Sequence, residues 1–277
     1  AVYGTQATPY EFDYPWGRIS RKENVLYLYL FEHMEKLELP GLENRVKSAS
    51  LLTEAGRQDL SCGTKETECG KVLSISLPRS ENSYYDVVRI ELDGTPRVRQ
   101  GLYQLPDGEI NLYSHKAVLH KSEDRSAKAA DDAGIDGDVA AAAEKNNIWV
   151  DDEFCIDSNG NIINWFHPGD YVEWEFELCM PGEYDVYVQT RSAKYTPWAG
   201  GHLTAVRFED QMLEASLTNG VRMSNAHSRY FEEYLTKLGT VHVREAGRQH
   251  LSLHLLKLEE KERAGLLVTR VVLRKQR

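Results

Sequence analysis

In the stretch Tyr171–Leu178 every second side chain is large and apolar: Val172, Trp174, Phe176 and Leu178 fall on one side, Tyr171, Glu173, Glu175 and Glu177 on the other. A period of two is the period of a β-strand, so this stretch predicts a strand with one buried and one solvated face. Pro181-Gly182 turns the chain into residues 183–190, where Tyr184, Val186 and Val188 face inward. The same reading gives strands over 202–208, 239–243, 249–258 and 266–273. Nearer the start, residues 25–31 are apolar on both faces and predict a central, covered strand. Residues 71–77 alternate, and residues 85–92 end at Asp93-Gly94, a strong turn signal. Strands recur with turn residues between them and almost no helical periodicity. The predicted fold is all-β: two β-sandwich, jelly-roll-like domains in tandem.

Pro96, Gly101, Pro106 and Gly108 mark a linker, and 277 residues suit two domains, 1–100 and 101–277. Residues 109–119 read as the first strand of the second domain. Residues 122–147, rich in Ala, Asp and Lys, read either as exposed loop or as a short helix around 139–145. A net charge of −10, with Lys and Arg interspersed among acids, argues against nucleic acid. No apolar run approaches the roughly 20 residues of a membrane helix, so no membrane partner is expected.

Cys62, Cys69, Cys155 and Cys179 lack zinc-ligand spacing. In a secreted protein Cys62 and Cys69 can close a hairpin loop, and two free thiols are the alternative; Cys179, ending an apolar strand, reads as an inert buried thiol. An echo links residues 54–61 (EAGRQDLS) with 245–252 (EAGRQHLS), which read as two hairpin turns entering strands, with glycine supplying positive φ.

The run Tyr3-Gly4-Thr5, Pro15-Trp16-Gly17-Arg18, Val25-Leu26-Tyr27-Leu28-Tyr29-Leu30-Phe31 and Leu39-Pro40-Gly41-Leu42 resembles the segment that leaves the catalytic barrel of glycoside hydrolase family 29, the α-L-fucosidases. Later, Trp165, Pro168, Asp170-Tyr171-Val172-Glu173-Trp174, Pro181-Gly182, Leu238-Gly239-Thr240-Val241 and Ala246-Gly247-Arg248 resemble modules appended to such enzymes, themselves similar to carbohydrate-binding modules of families 6 and 35. The resemblance implies that this chain begins where a catalytic barrel ends. Its partners would be that upstream barrel and a carbohydrate, fucosylated glycan being one option, and its location secreted or periplasmic. Trp16 is then expected to pack the first sandwich onto the barrel. A purely structural spacer and a self-sufficient glycosidase are the competing readings.

A retaining glycosidase needs two carboxylates about 5 Å apart, and 43 acidic residues make such pairs easy to imagine. The family's catalytic residues lie on a (β/α)8 barrel, whose alternating pattern is missing here. No catalytic residue is assigned, and no cofactor is expected. The resembled modules often hold calcium through acids of their first and last strands, but here those strands read Tyr113-Ser114-His115-Lys116-Ala117 and Val271-Val272-Leu273-Arg274, so no metal is assigned. Asp157-Ser158-Asn159-Gly160-Asn161 reads as a plain turn. His250 and His254 share a strand face and read as solvent-facing.

Sugars are held by aromatic faces and by planar polar side chains that read hydroxyls in pairs. The candidates lie between strands: Tyr195 and Trp198 in a Pro/Gly-rich segment, Asn225, His227 and Tyr230 in another, and Trp149 before the 150s turn. Packing between loops is the other explanation for each. Trp165 reads as mainly structural, and Trp174 as core.

Overall fold

The computed structural model describes residues 4–12, 14, 16–54, 56–79, 86–122, 153–193, 200–223, 231–259 and 265–276. Among the described residues there is no α-helix, and nearly all regular structure is antiparallel β. The chain forms two compact units, Ala1–Asp107 and Gly108–Arg277.

The first unit contains β1 (Gly17–Lys22), β2 (Val25–Leu30), β3 (Lys36–Pro40), β4 (Val46–Thr53), β5 (Gly56–Asp59), β6 (Cys62–Thr67), β7 (Gly70–Ser76), β8 (Asp86–Leu92) and the two-residue β9 (Leu102–Tyr103). A five-stranded sheet, β1-β2-β8-β4-β5, faces a three-stranded one, β3-β7-β6. The strand at 25–31 is internal, as predicted. Leu26, Leu28 and Leu30 are buried, while Tyr27 and Tyr29 cover the other face half-buried. Leu37, Leu39, Leu73, Ile75, Val88 and Ile90 complete the core.

Two motif glycines have steric reasons. A Cβ on Gly17 would lie 1.9 Å from the Tyr29 carbonyl oxygen, and Gly41 sits at φ 76° with the Tyr103 hydroxyl 2.3 Å from where a Cβ would be. Trp16 is half-buried and stacks on Tyr14 at 5.0 Å and 11°. Asn44 is a clamp that the sequence does not advertise: its amide donates to the Asp93 and Thr95 carbonyls, and its Oδ1 accepts the Arg97 amide at 2.6 Å.

The second unit contains β10 (Glu109–Tyr113), β11 (Val118–His120), β12 (Cys155–Ile156), β13 (Ile162–Trp165), β14 (Tyr171–Leu178), β15 (Gly182–Ala193), β16 (Leu203–Phe208), β17 (Gln211–Ser216), β18 (Arg222–Met223), β19 (Phe231–Val243), β20 (Gly247–Lys257) and β21 (Leu266–Lys275). A seven-stranded sheet runs β12-β13-β21-β15-β19-β18, with β10 also on β21, and the second sheet runs β11-β14-β20-β16-β17. Val172, Trp174, Phe176, Tyr184, Val186 and Val188 are buried in its core with Trp165, Phe208, Leu251 and Leu253.

The strand expected over 109–119 is two strands in different sheets. Residues Ser114–Lys116 form a 3-10 turn, after which the chain leaves β21 and pairs with β14. Ser114 Oγ donates to the Val268 carbonyl and Trp174 Nε1 to the Tyr113 carbonyl, fixing the crossing.

The expected inert Cys179 thiol is overturned, and Cys62 and Cys69 do not bridge. Cys69 and Cys179 are disulfide-bonded, and Cys62 and Cys155 keep their thiols. Cys62 faces Ile75 at the open end of the β6–β7 hairpin, while Cys69 sits in its turn. At about 3.3 Å per strand residue they are more than ~15 Å apart, against a bridgeable limit near 7 Å. Cys179 lies past the end of β14, half-buried, outside the core that would have kept its thiol inert. The echoed segments do share turn chemistry: Gly56 and Gly247 both open strands, at φ 130° and 131°.

Candidate functional site

The two ends of the second unit differ. At one end the links are tight: Leu178 to Gly182, Phe208 to Gln211 and Val243 to Gly247. At the other end lie the long links, from β11 to β12, β13 to β14, β15 to β16, β17 through β18 to β19, and β20 to β21. Strand registers place them together. Ala193 pairs with Phe231, Thr190 with both Tyr234 and Val268, Trp165 with Leu266, Tyr171 with His254, and Leu203 with Lys257 and Ser216. Sandwich domains carry recognition on such loop-bearing ends.

All six sugar-binding candidates, Trp149, Tyr195, Trp198, Asn225, His227 and Tyr230, lie outside the described residues. Their anchors are described, and all belong to the open end. Residues 194–199 follow Ala193 and precede Gly200, and residues 224–230 end at Phe231, the partner of Ala193. Beyond 194–199, Gly200 and Gly201 adopt φ 72° and 97°, Gly201 N donates to the Leu217 carbonyl, and Leu217 N donates back to that of His202. His202 is fully buried, its Nδ1 accepts the Glu259 amide, and burial lowers its pKa. The segment holding Trp149 leaves after Lys121 and returns at Glu153, and these two side chains form an ion pair.

The start of β19 is held on both faces. On the outer face Arg191 donates to Glu233 Oε1 at 2.6 and 3.1 Å, Gln189 donates to Glu233 Oε2, and the Arg191 guanidinium lies 5.1 Å from the Phe231 ring centroid. The network continues through Arg270, which donates to Gln189 and Asn111. On the inner face Tyr234 donates to Glu232 Oε2 at 2.7 Å, and Arg222 approaches Glu232 Oε1 at 2.8 Å. Burial first, then the hydrogen bond and charge of Glu232, raises the Tyr234 pKa. Sequence reading missed these residues. The available signal was Glu232 and Tyr234 at inward positions of a strand whose later inward residues, Leu238 and Val241, are apolar.

Other candidates resolve differently. Asp157 Oδ1 accepts from the backbone amides of Asn159 and Asn161, so that segment is an Asx-type turn. His250 is exposed as expected, but His254 is half-buried. Tyr171 stacks between His254 at 4.8 Å and His120 at 4.3 Å. Trp165 and Trp174 are fully buried. At the tight end a groove between Glu209, Asp210, Arg244 and Arg248 is saturated: Arg244 pairs with both acids and Arg248 with Glu175. Among the described residues no helix is long and apolar enough to cross a membrane.

No family model matches the chain, and no curated protein matches it. Among solved structures it is similar to an α-L-fucosidase from Vibrio sp. strain EJY3, with TM-score 0.65 and 17% identity over 98% of this chain and 42% of that one. A Podospora anserina β-(1,4)-mannanase matches at TM-score 0.35 and 12% identity over 62% and 28% of the two chains. A Paenibacillus xanthan lyase matches at TM-score 0.34 and 12% identity over 91% and 19%. The chain thus shares its fold with part of the fucosidase and spans less than half of that protein's length.

Proposed function

We propose that this chain is the non-catalytic C-terminal part of a fucosidase-like glycosidase, with a first sandwich that supports an upstream barrel and a second that holds glycan at its open end. Trp198 and Tyr195 would supply stacking faces, Asn225, His227 and Tyr230 polar contacts, and Trp149 a further wall. The observation that carries this reading is the pairing of Ala193 with Phe231, which anchors both main candidate segments at one strand end. The fold shared with the Vibrio fucosidase supports the enzyme context. Disulfide bonding at Cys69 and Cys179 supports an oxidising, secreted or periplasmic setting.

Calorimetric titration with fucosylated oligosaccharides tests the reading. One stacking face and a few hydrogen bonds give affinity in the millimolar to high-micromolar range, roughly 4–6 kcal/mol. Trp198→Ala is expected to abolish the heat of binding while leaving the melting temperature nearly unchanged. A melting temperature that falls as for a lost core tryptophan makes Trp198 structural and favours the spacer reading.

A further inference from the structure

The inner face of the seven-stranded sheet changes character just before the open end. Along β15 the inward residues Tyr184, Val186 and Val188 are wholly buried, and the next two are Thr190 and Ser192. Along β19 the inward series leads from Leu238 through Thr236 to Tyr234 and Glu232. The register sets Thr190 beside Tyr234 and Ser192 beside Glu232, and it places Arg222 of β18 on the far side of Tyr234. Arg222 lies on the edge strand and is mostly exposed, Glu232 is half-buried, and Tyr234 and Thr190, towards the middle of the sheet, are buried. Four polar side chains thus lie side by side on this face, from the edge of the sheet to its middle.

The buried end of this group holds an anomaly. Thr190 Oγ1 is buried and has no hydrogen-bond partner among the described residues. Buried hydroxyls are nearly always paired, because leaving one unpaired costs free energy that folding does not recover. This one lies beside a phenol, a carboxylate and a guanidinium already arranged around one another.

We infer that Thr190, Glu232, Tyr234 and Arg222 form a hydroxyl-reading subsite for a neutral sugar, an inference that rests on the glycan-holding role of the open end. The donor and acceptor inventory fits. An ionised carboxylate offers about four acceptor positions, and Tyr234 and Arg222 take one on each oxygen of Glu232. Positions remain for sugar O–H donors, and the other N–H groups of Arg222 can donate to sugar oxygens. A carboxylate and a guanidinium held side by side address two adjacent hydroxyls at once. Their charges offset, so the cluster favours neither an anionic nor a cationic ligand. Thr190 Oγ1 both donates and accepts, which matches the hydrogen bonding of a sugar hydroxyl.

The test is calorimetric titration of the full chain with L-fucose, D-galactose, D-glucose and D-xylose, alongside thermal melts. It compares the unmodified protein with Thr190→Val, Glu232→Gln and Trp198→Ala. Thr190→Val keeps shape and removes an unpaired hydroxyl, so its melting temperature is expected to stay level or rise while affinity for the bound sugar falls about tenfold or more. Glu232→Gln is expected to weaken the same sugar, and if it fails to fold, Thr190→Val decides alone. Binding unchanged in Thr190→Val while Trp198→Ala abolishes it overturns the subsite and leaves the open-end reading standing. Loss in Thr190→Val with Trp198→Ala unaffected supports the subsite and removes Trp198 from the site. No binding of any of these sugars by the unmodified protein overturns the subsite.

Discussion

Ala193 at the end of β15 and Phe231 at the start of β19 are direct strand partners. Two chain segments separated by about thirty residues of sequence therefore begin and end at one point of the sheet. Around that point, Arg191 and Glu233 brace the outer face while Arg222 and Glu232 brace the inner one. A frame held from both faces suits the proposed glycan-holding surface, because ordering its anchors on binding would consume much of a small affinity.

Gly17 is expected to tolerate no side chain. Its missing Cβ makes room for the Tyr29 carbonyl oxygen across the β1–β2 pair. Gly17→Ala forces backbone apart and should cost about 1–3 kcal/mol, as other overpacking does. Urea unfolding measures this, and a change below 0.5 kcal/mol, roughly the size of an ordinary surface substitution, counts against the close approach.

Asn44→Ala removes two donors and an acceptor that hold the Asp93–Arg97 turn. The backbone groups left behind lose their partners, so a loss of roughly 2–3 kcal/mol is expected. The same unfolding assay checks it, with Asn44→Asp as an intermediate case that keeps the acceptor.

Thiol titration of the denatured, unreduced protein is expected to find two reactive groups, those of Cys62 and Cys155, and four after reduction. Peptide mapping should leave the Cys62 peptide unlinked. A cross-linked Cys62–Cys69 peptide contradicts the hairpin register.

Burial, aided by the Arg207 charge, lowers the His254 pKa to about 4. The ring also stacks on Tyr171 and bonds Ser252, so the folded protein keeps it neutral. In the unfolded chain it titrates near 6.5, so the unfolded state takes up the proton first as pH falls. Stability contributed by this residue is therefore lost between pH 6.5 and 4, by about 1–2 kcal/mol once partial solvent contact is allowed for. His254→Gln should flatten that slope in unfolding measurements across this window. An unchanged slope assigns the pH dependence to other groups.

The parts of the fold legible in sequence were those where one face is buried and the other wet. Tyr171–Leu178 announced its register because Trp174 and Phe176 cannot face water, and Asp93-Gly94 announced its turn. The break at Ser114 was hidden, because residues 109–119 keep an extended pattern while changing sheets, and only the Ser114 and Trp174 hydrogen bonds reveal the crossing. Sequence left the Cys62–Cys69 bridge open, and the register excludes it, because proximity in sequence along a hairpin arm is distance in space. For the site, loop composition pointed to Trp198 and Tyr230. The inner-face cluster stayed unseen because Thr190 and Tyr234 become neighbours only through the β15–β19 register.

The central claim is that ligand is held at the open end of the second unit. Hydrogen exchange with and without a saturating fucosylated oligosaccharide tests it most directly, because it reports position as well as binding. The expected result is slowed exchange in peptides covering residues 190–202 and 222–236, with no change around Glu209 and Arg244 at the tight end. Protection confined to the tight end, or absent throughout, contradicts the claim.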